Sequence, residues 1–135
     1  MSLQEAKYIA FGTYRANGTI KTTPVWIVPY DTGFAFTTEV TSHKVRRLEN
    51  DARCTLVSST FKGVPLDGEP VHTGRARIVR GDEYRAIHKK VTRKYPLVSW
   101  LVLGPMDLLA RLRGRSVETV GVVVELDEAD QKFAA

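Results

Sequence analysis

Lys7-Tyr8-Ile9-Ala10-Phe11-Gly12-Thr13-Tyr14-Arg15, then Asn17-Gly18, then a run from Thr19 to Tyr30 decides the fold. The first run carries Tyr8, Ile9, Phe11, Thr13 and Tyr14, residues that suit a pleated, half-buried surface. Asn17-Gly18 is the strongest short hairpin signal, because a type I′ turn needs positive φ at both central residues. A strand from 7 to 15 and a single return strand from 19 to 30 are therefore expected. Asp31-Thr32-Gly33 predicts a second turn and Phe34 to Thr38 a third strand.

Working outward, the pattern predicts further strands over 53–60, 71–80 and 119–126, six in all. Gly74 inside the fifth suggests a bulge or bend. Pro65, Gly68 and Pro70 mark residues 63–70 as a loop. An amphipathic helix is expected from Gly81 to Tyr95, with Tyr84, Ile87, Val91 and Tyr95 on one side and Pro96 to end it. Leu97 to Leu112 is too short to span a bilayer and is interrupted by Gly104-Pro105 and Asp107. It reads as two short helices packed on the barrel, with a membrane-surface helix ending in Arg111 and Arg113 as the alternative. Pro24-Val25-Trp26-Ile27-Val28 and Val120-Gly121-Val122-Val123-Val124 are apolar on both faces. One face can fill a barrel; the other needs a helix, a ligand or a second subunit, and a homodimer is the preferred cover.

The junction after the third strand is electrostatically unusual. In Thr37-Thr38-Glu39-Val40-Thr41-Ser42-His43-Lys44-Val45-Arg46-Arg47-Leu48, Ser42 is a good helix N-cap. The helix start then carries Lys44, Arg46 and Arg47 and no carboxylate. A cation there faces the positive end of the helix dipole, at a cost of up to about 1 kcal/mol. Hydroxyls followed by cations at a helix start suit a bound anion, most simply a phosphate. The alternative is a solvated basic face.

The 135 residues suit one domain spanning 1–135, and 43% hydrophobic content suffices for a core. The net charge of +5 favours an anionic partner without naming it. Residues 75–94 form one basic cluster, and Arg111, Arg113 and Arg115 form another. The single cysteine, Cys54, excludes an intrachain disulfide and suits a reducing cytoplasm. Its apolar strand context marks it as a buried thiol rather than a nucleophile. The first residues lack the apolar stretch of a signal peptide.

His43, His72 and His88 lie too far apart for a recognisable metal motif, and no metal site is expected. No nucleophile elbow, dinucleotide fingerprint or phosphate loop is present. An enzyme of this kind would take its chemistry from a cofactor.

The ordered series of 7–15, Asn17-Gly18, Thr23-Pro24-Val25-Trp26, Thr37-Thr38, Ser42-x-Lys44-x-x-Arg47 and Gly74-x-Ala76-x-Ile78 resembles the flavin/deazaflavin split β-barrel oxidoreductases. This is the superfamily of pyridoxamine-phosphate oxidase, and the resemblance is nearest to its actinobacterial coenzyme F420-dependent branch. It covers about residues 5 to 127. It implies a mainly β fold with α: a six-stranded antiparallel Greek-key-type split barrel with flanking helices. It also implies a homodimer with cofactor sites at the interface.

Carried over by position, Ser42, Lys44 and Arg47 match the cofactor-phosphate residues. Thr37 and Thr38 match the strand end beside the ring, and Pro24, Val25 and Trp26 the strand along it. The substrate-phosphate residues of pyridoxamine-phosphate oxidase itself are not found, so that activity is not expected. The resemblance favours coenzyme F420, with FMN as the alternative. The implied activity is hydride transfer between the reduced cofactor and a small organic acceptor; no catalytic acid or base is assigned. A non-catalytic binder of F420, FMN or haem is the second reading, and a nucleic-acid-binding barrel the third. Neither nucleic acid nor membrane insertion is expected.

Overall fold

The computed structural model describes residues 3, 6, 8–94 and 118–127. The described chain is mainly β: β1 Tyr8–Tyr14, β2 Ile20–Val25, β3 Val28–Tyr30, β4 Gly33–Glu39, β5 Arg53–Ser59, β6 His72–Val79 and β7 Thr119–Leu126. Helix α1 spans His43–Asn50 and α2 spans Gly81–Lys94. The pair of helices expected over 97–112, and the arginines at 111, 113 and 115, lie outside the described residues.

All pairings are antiparallel, in the order β2-β1-β5-β6-β7-β4-β3. The two strands at opposite ends of this order, β2 and β3, are consecutive in the chain. Val25 and Val28 are separated by Trp26-Ile27, and three residue steps cover at most roughly 11 Å. The sheet must therefore curl until its edges nearly meet, which makes a split barrel. This also corrects the strand count from six to seven. The expected return strand over 19–30 breaks at Trp26-Ile27, because its first half pairs with β1 and its second half with β4.

The first hairpin also differs from a type I′ turn. Gly18 has φ +87°, whereas Asn17 is not among the positive-φ residues. Gly18 N donates to Arg15 O, and Arg15 N to Thr19 O. This is a three-residue loop, a type I turn closed by a left-handed glycine. The Asn17 carboxamide accepts from Thr19 N at 3.0 Å and so caps its own turn. Gly74 is not a bulge, since pairing runs unbroken through it on both sides. A Cβ there would lie 2.5 Å from Glu125 O, so its missing side chain admits the neighbouring backbone.

Alternation sorts the strands into an inner and an outer face. Ile9, Phe11, Val25, Phe34, Phe36, Cys54, Leu56, Ala76, Val122, Val124 and Leu126 fill the interior. Phe11 and Phe36 sit four places apart in the strand order, yet their rings meet edge-on at 4.8 Å across the barrel. The interior is therefore packed rather than open. Burial pushes the Cys54 thiol up to about 12, with Asp127 adding to it, consistent with an inert core residue.

On the outer face Val28, Ala35, Val79 and Val123 meet Ile87 and Val91 of α2, and Trp26 and Tyr30 pack against this second cluster. Helix α2 thus covers the outer side of β7 at Gly121 and Val123. Glu83 anchors the start of α2, accepting from Tyr30 Oη at 3.0 Å and pairing with Arg77 at 2.7 Å.

Candidate anion site at the start of helix α1

Three residues of this junction, Thr38, Ser42 and Lys44, are joined by hydrogen bonds, and Arg47 is near enough for its charge to act on Lys44. Ser42 caps α1 with extended backbone (φ −66°, ψ 149°), its Oγ accepting from Val45 N at 3.4 Å. Thr38, at the end of β4, lies 3.4 Å from Ser42 Oγ, and Lys44 Nζ donates to Thr38 Oγ1 at 3.3 Å. Arg47, one turn on, donates through Nε to Thr13 Oγ1 at 2.6 Å. The first turn of α1 holds no acidic residue. Val45 and Leu48 are the buried residues of the helix, so core packing fixes which way its cations face.

Burial and mutual repulsion disfavour the charge on both cations. Burial pulls the Lys44 ammonium below its ordinary range and Arg47 pulls it further, while Glu39 opposes both. Burial likewise lowers Arg47, and the charge of Arg15 adds to it. Among the described residues neither Lys44 nor Arg47 forms an ion pair. Crowded, partly desolvated cations beside hydroxyl groups at a helix start are a chemistry that a bound anion would stabilise.

The other residues singled out from sequence lie elsewhere. Thr37 opposes Gly121 on the outer face, whereas Thr38 points inward. Val25 is 9% exposed and belongs to the interior cluster, Trp26 packs on the outer cluster, and Pro24 is exposed. Val25 pairs with Ile9, four residues along β1 from Thr13. That is roughly 13 Å at strand rise, so an elongated ligand is required to touch both places.

Thr13 and Arg15 were not singled out by sequence reading. A signal for them exists: the inward stripe of β1 runs Ile9, Phe11, Thr13, and Arg15 is the next residue of that alternation, exposed just past the strand end, so the series turns from apolar to polar and charged as it leaves the core. Among the described residues no cluster of His, Cys, Asp or Glu could hold a metal, and no helix is long and apolar enough to cross a membrane.

A curled antiparallel barrel closed by adjacent edge strands, with a basic helix start at one strand end, defines a split-barrel protein. The chain belongs to the pyridoxamine 5′-phosphate oxidase family, whose model matches residues 2–120. Solved structures of the same fold have mixed roles. HutZ, a haem storage protein from Vibrio cholerae, is 14% identical over 93% of this chain and 85% of its own, with a TM-score of 0.59. An F420 reductase is 16% identical over 93% and 90%, with a TM-score of 0.56. PhzG from Burkholderia lata 383, solved with tetrahydrophenazine-1-carboxylic acid, is 19% identical over 90% and 67%, with a TM-score of 0.59. At such identities the likeness concerns the fold alone. A search of curated proteins returns no match.

Proposed function

We propose that this protein is an oxidoreductase dependent on a phosphate-bearing, flavin-like cofactor, coenzyme F420 in preference to FMN. It moves hydride between the reduced cofactor and a small organic acceptor. The observation that carries this reading is the gathering of Thr38, Ser42 and Lys44 at a helix start, with Arg47 close enough for its charge to act on Lys44 and with no ion pair to either cation among the described residues. The donor set suits a phosphate group.

In this reading Lys44 and Arg47 hold the cofactor phosphate, Ser42 and Thr38 orient it, and the backbone of Pro24, Val25 and Trp26, with Thr37, borders the ring. When bound, the cofactor supplies the redox chemistry. The chain's own part is to fix the cofactor, leave one ring face open to the acceptor and exclude water. The preference for F420 is supported by the resemblance of the ordered motifs and by the F420 reductase among structures of this fold. A homodimer completing the site is supported by the exposed Ile20, Phe61, Val64 and Val71. A reducing, cytoplasmic setting accords with a lone buried thiol.

Titration of the purified protein with F420, FMN and haem tests the reading, followed by oxidation of reduced F420 with a panel of quinones and enones. F420 binding with acceptor-dependent turnover is the expected outcome. FMN binding with no F420 affinity replaces F420 by FMN as the cofactor. Binding of any of the three without turnover makes it a carrier or store.

A further inference from the structure

The anion pocket draws on an element outside its own sequence segment. Thr13 lies on β1, paired with Lys21 on one side and Cys54 on the other, and is 1% exposed. A hydroxyl buried so completely needs a partner. It has one in Arg47 Nε, at 2.6 Å. Neither terminal amino group of Arg47 bonds any described residue.

This arrangement has a definite chemical meaning. Guanidinium is planar, with donors at fixed angles. Holding Nε restrains the guanidinium and leaves the two terminal nitrogens as an end-on fork. An end-on fork of parallel N–H groups matches two oxygens of a phosphate. An arginine fixed before binding also loses less rotamer freedom when the ligand arrives.

Arg15 lies two residues beyond Thr13, exposed just past the end of β1. Its guanidinium reaches Thr19 Oγ1 at 3.4 Å, a long contact that leaves most of its donors available. Its charge acts on Arg47, which places the two cations within electrostatic reach.

We propose that the β1–β2 hairpin completes the anion site: Thr13 is a positioning residue that aims the Arg47 fork, and Arg15 supplies a third cation to the same phosphate group. The inference rests on the reading of this pocket as a phosphate site and adds two residues to it. The two residues act differently. Thr13 works by geometry at a buried bond, and its effect is insensitive to salt. Arg15 is exposed and works through charge, so its effect fades as ionic strength rises.

The test compares wild type with Thr13→Val, Thr13→Ser and Arg15→Gln, each titrated with inorganic phosphate, FMN and F420 at low and high salt. Valine keeps the shape of threonine and removes the acceptor; serine keeps the acceptor. Thr13→Val is expected to weaken phosphate binding about tenfold at both salts, and Thr13→Ser to restore it to within about twofold. Arg15→Gln is expected to weaken it about threefold at low salt and negligibly at high salt. Arg15→Gln alters only an exposed side chain, so it remains informative if Thr13→Val fails to fold. Equal phosphate affinity in wild type and all variants, or no phosphate binding by wild type, overturns the inference. Phosphate binding that follows the expected order, with no FMN or F420 binding, upholds it and overturns the proposed cofactor instead.

Discussion

Lys44 Nζ donates to Thr38 Oγ1 at 3.3 Å, tying a cation in the first turn of α1 to the end of β4. That bond holds the ammonium at the positive end of a helix, beside Arg47, where the free protein gains little from it. Lys44→Ala and Arg47→Ala are therefore expected to weaken cofactor binding by about 1.5–3 kcal/mol, the scale of a charged hydrogen bond. Lys44→Ala should leave the unliganded protein as stable as wild type or more so. Calorimetric titration and thermal unfolding of the same samples separate the two effects. Unchanged affinity in both variants would return the segment to a solvated basic face.

Affinity for the anion should also depend on pH in a defined direction. Burial and Arg47 hold the folded Lys44 below its ordinary value of 10.5, so between those two values the unfolded chain binds more protons than the folded one. Stability of the free protein then gains from Lys44 as pH rises through that window. Anion binding requires the ammonium, so affinity falls across the same window. Titrating phosphate from about pH 7 upward reads this, and Lys44→Arg should displace the fall to higher pH. A fall unchanged in Lys44→Arg would assign it to another group.

β1 was legible because its aromatic and β-branched residues suit a pleated surface, and the place of its turn because Asn17-Gly18 marks it, although the turn's type was not. The break at Trp26-Ile27 was not legible. Pro24-Val25-Trp26-Ile27-Val28 is continuously apolar, and nothing local says that its halves pair with opposite edges of one sheet. Which of the possible covers lies over Val123 was not legible for a related reason: a strand apolar on both faces does not announce that a helix such as α2 packs on it. At the site, Ser42, Lys44 and Arg47 could be found because hydroxyl-then-cation spacing conflicts with the helix dipole. Thr13 could not be joined to them, since its bond to Arg47 spans 34 residues and exists only once the barrel has closed.

Gly74→Ala tests the close approach inside β6. A Cβ would lie 2.5 Å from Glu125 O and 3.0 Å from Leu126 Cα, both backbone atoms that cannot rotate away. The strand pair β6–β7 must separate locally, at a cost on the order of 1–3 kcal/mol. Urea unfolding should show a lower midpoint with an unchanged slope. A midpoint equal to wild type would mean the two backbones have room to part.

Ile87 and Phe61 are both large and apolar, at 0% and 65% exposure, and their replacement separates folding from assembly. Ile87 closes the outer cluster over Val28, Ala35 and Val123, so Ile87→Ala should cost about 2–5 kcal/mol. Among the described residues the Phe61 ring lies 6.5 Å from the Tyr8 ring, centroid to centroid, and 5.7 Å from the Lys62 ammonium. Phe61→Ser should therefore cost the isolated chain about 1 kcal/mol at most. In a homodimer that uses this surface, the same change removes apolar area from the interface and shifts sedimentation toward the monomer. A wild type that sediments as a monomer removes the dimer. A dimer indifferent to Phe61→Ser places the interface on another face of the barrel.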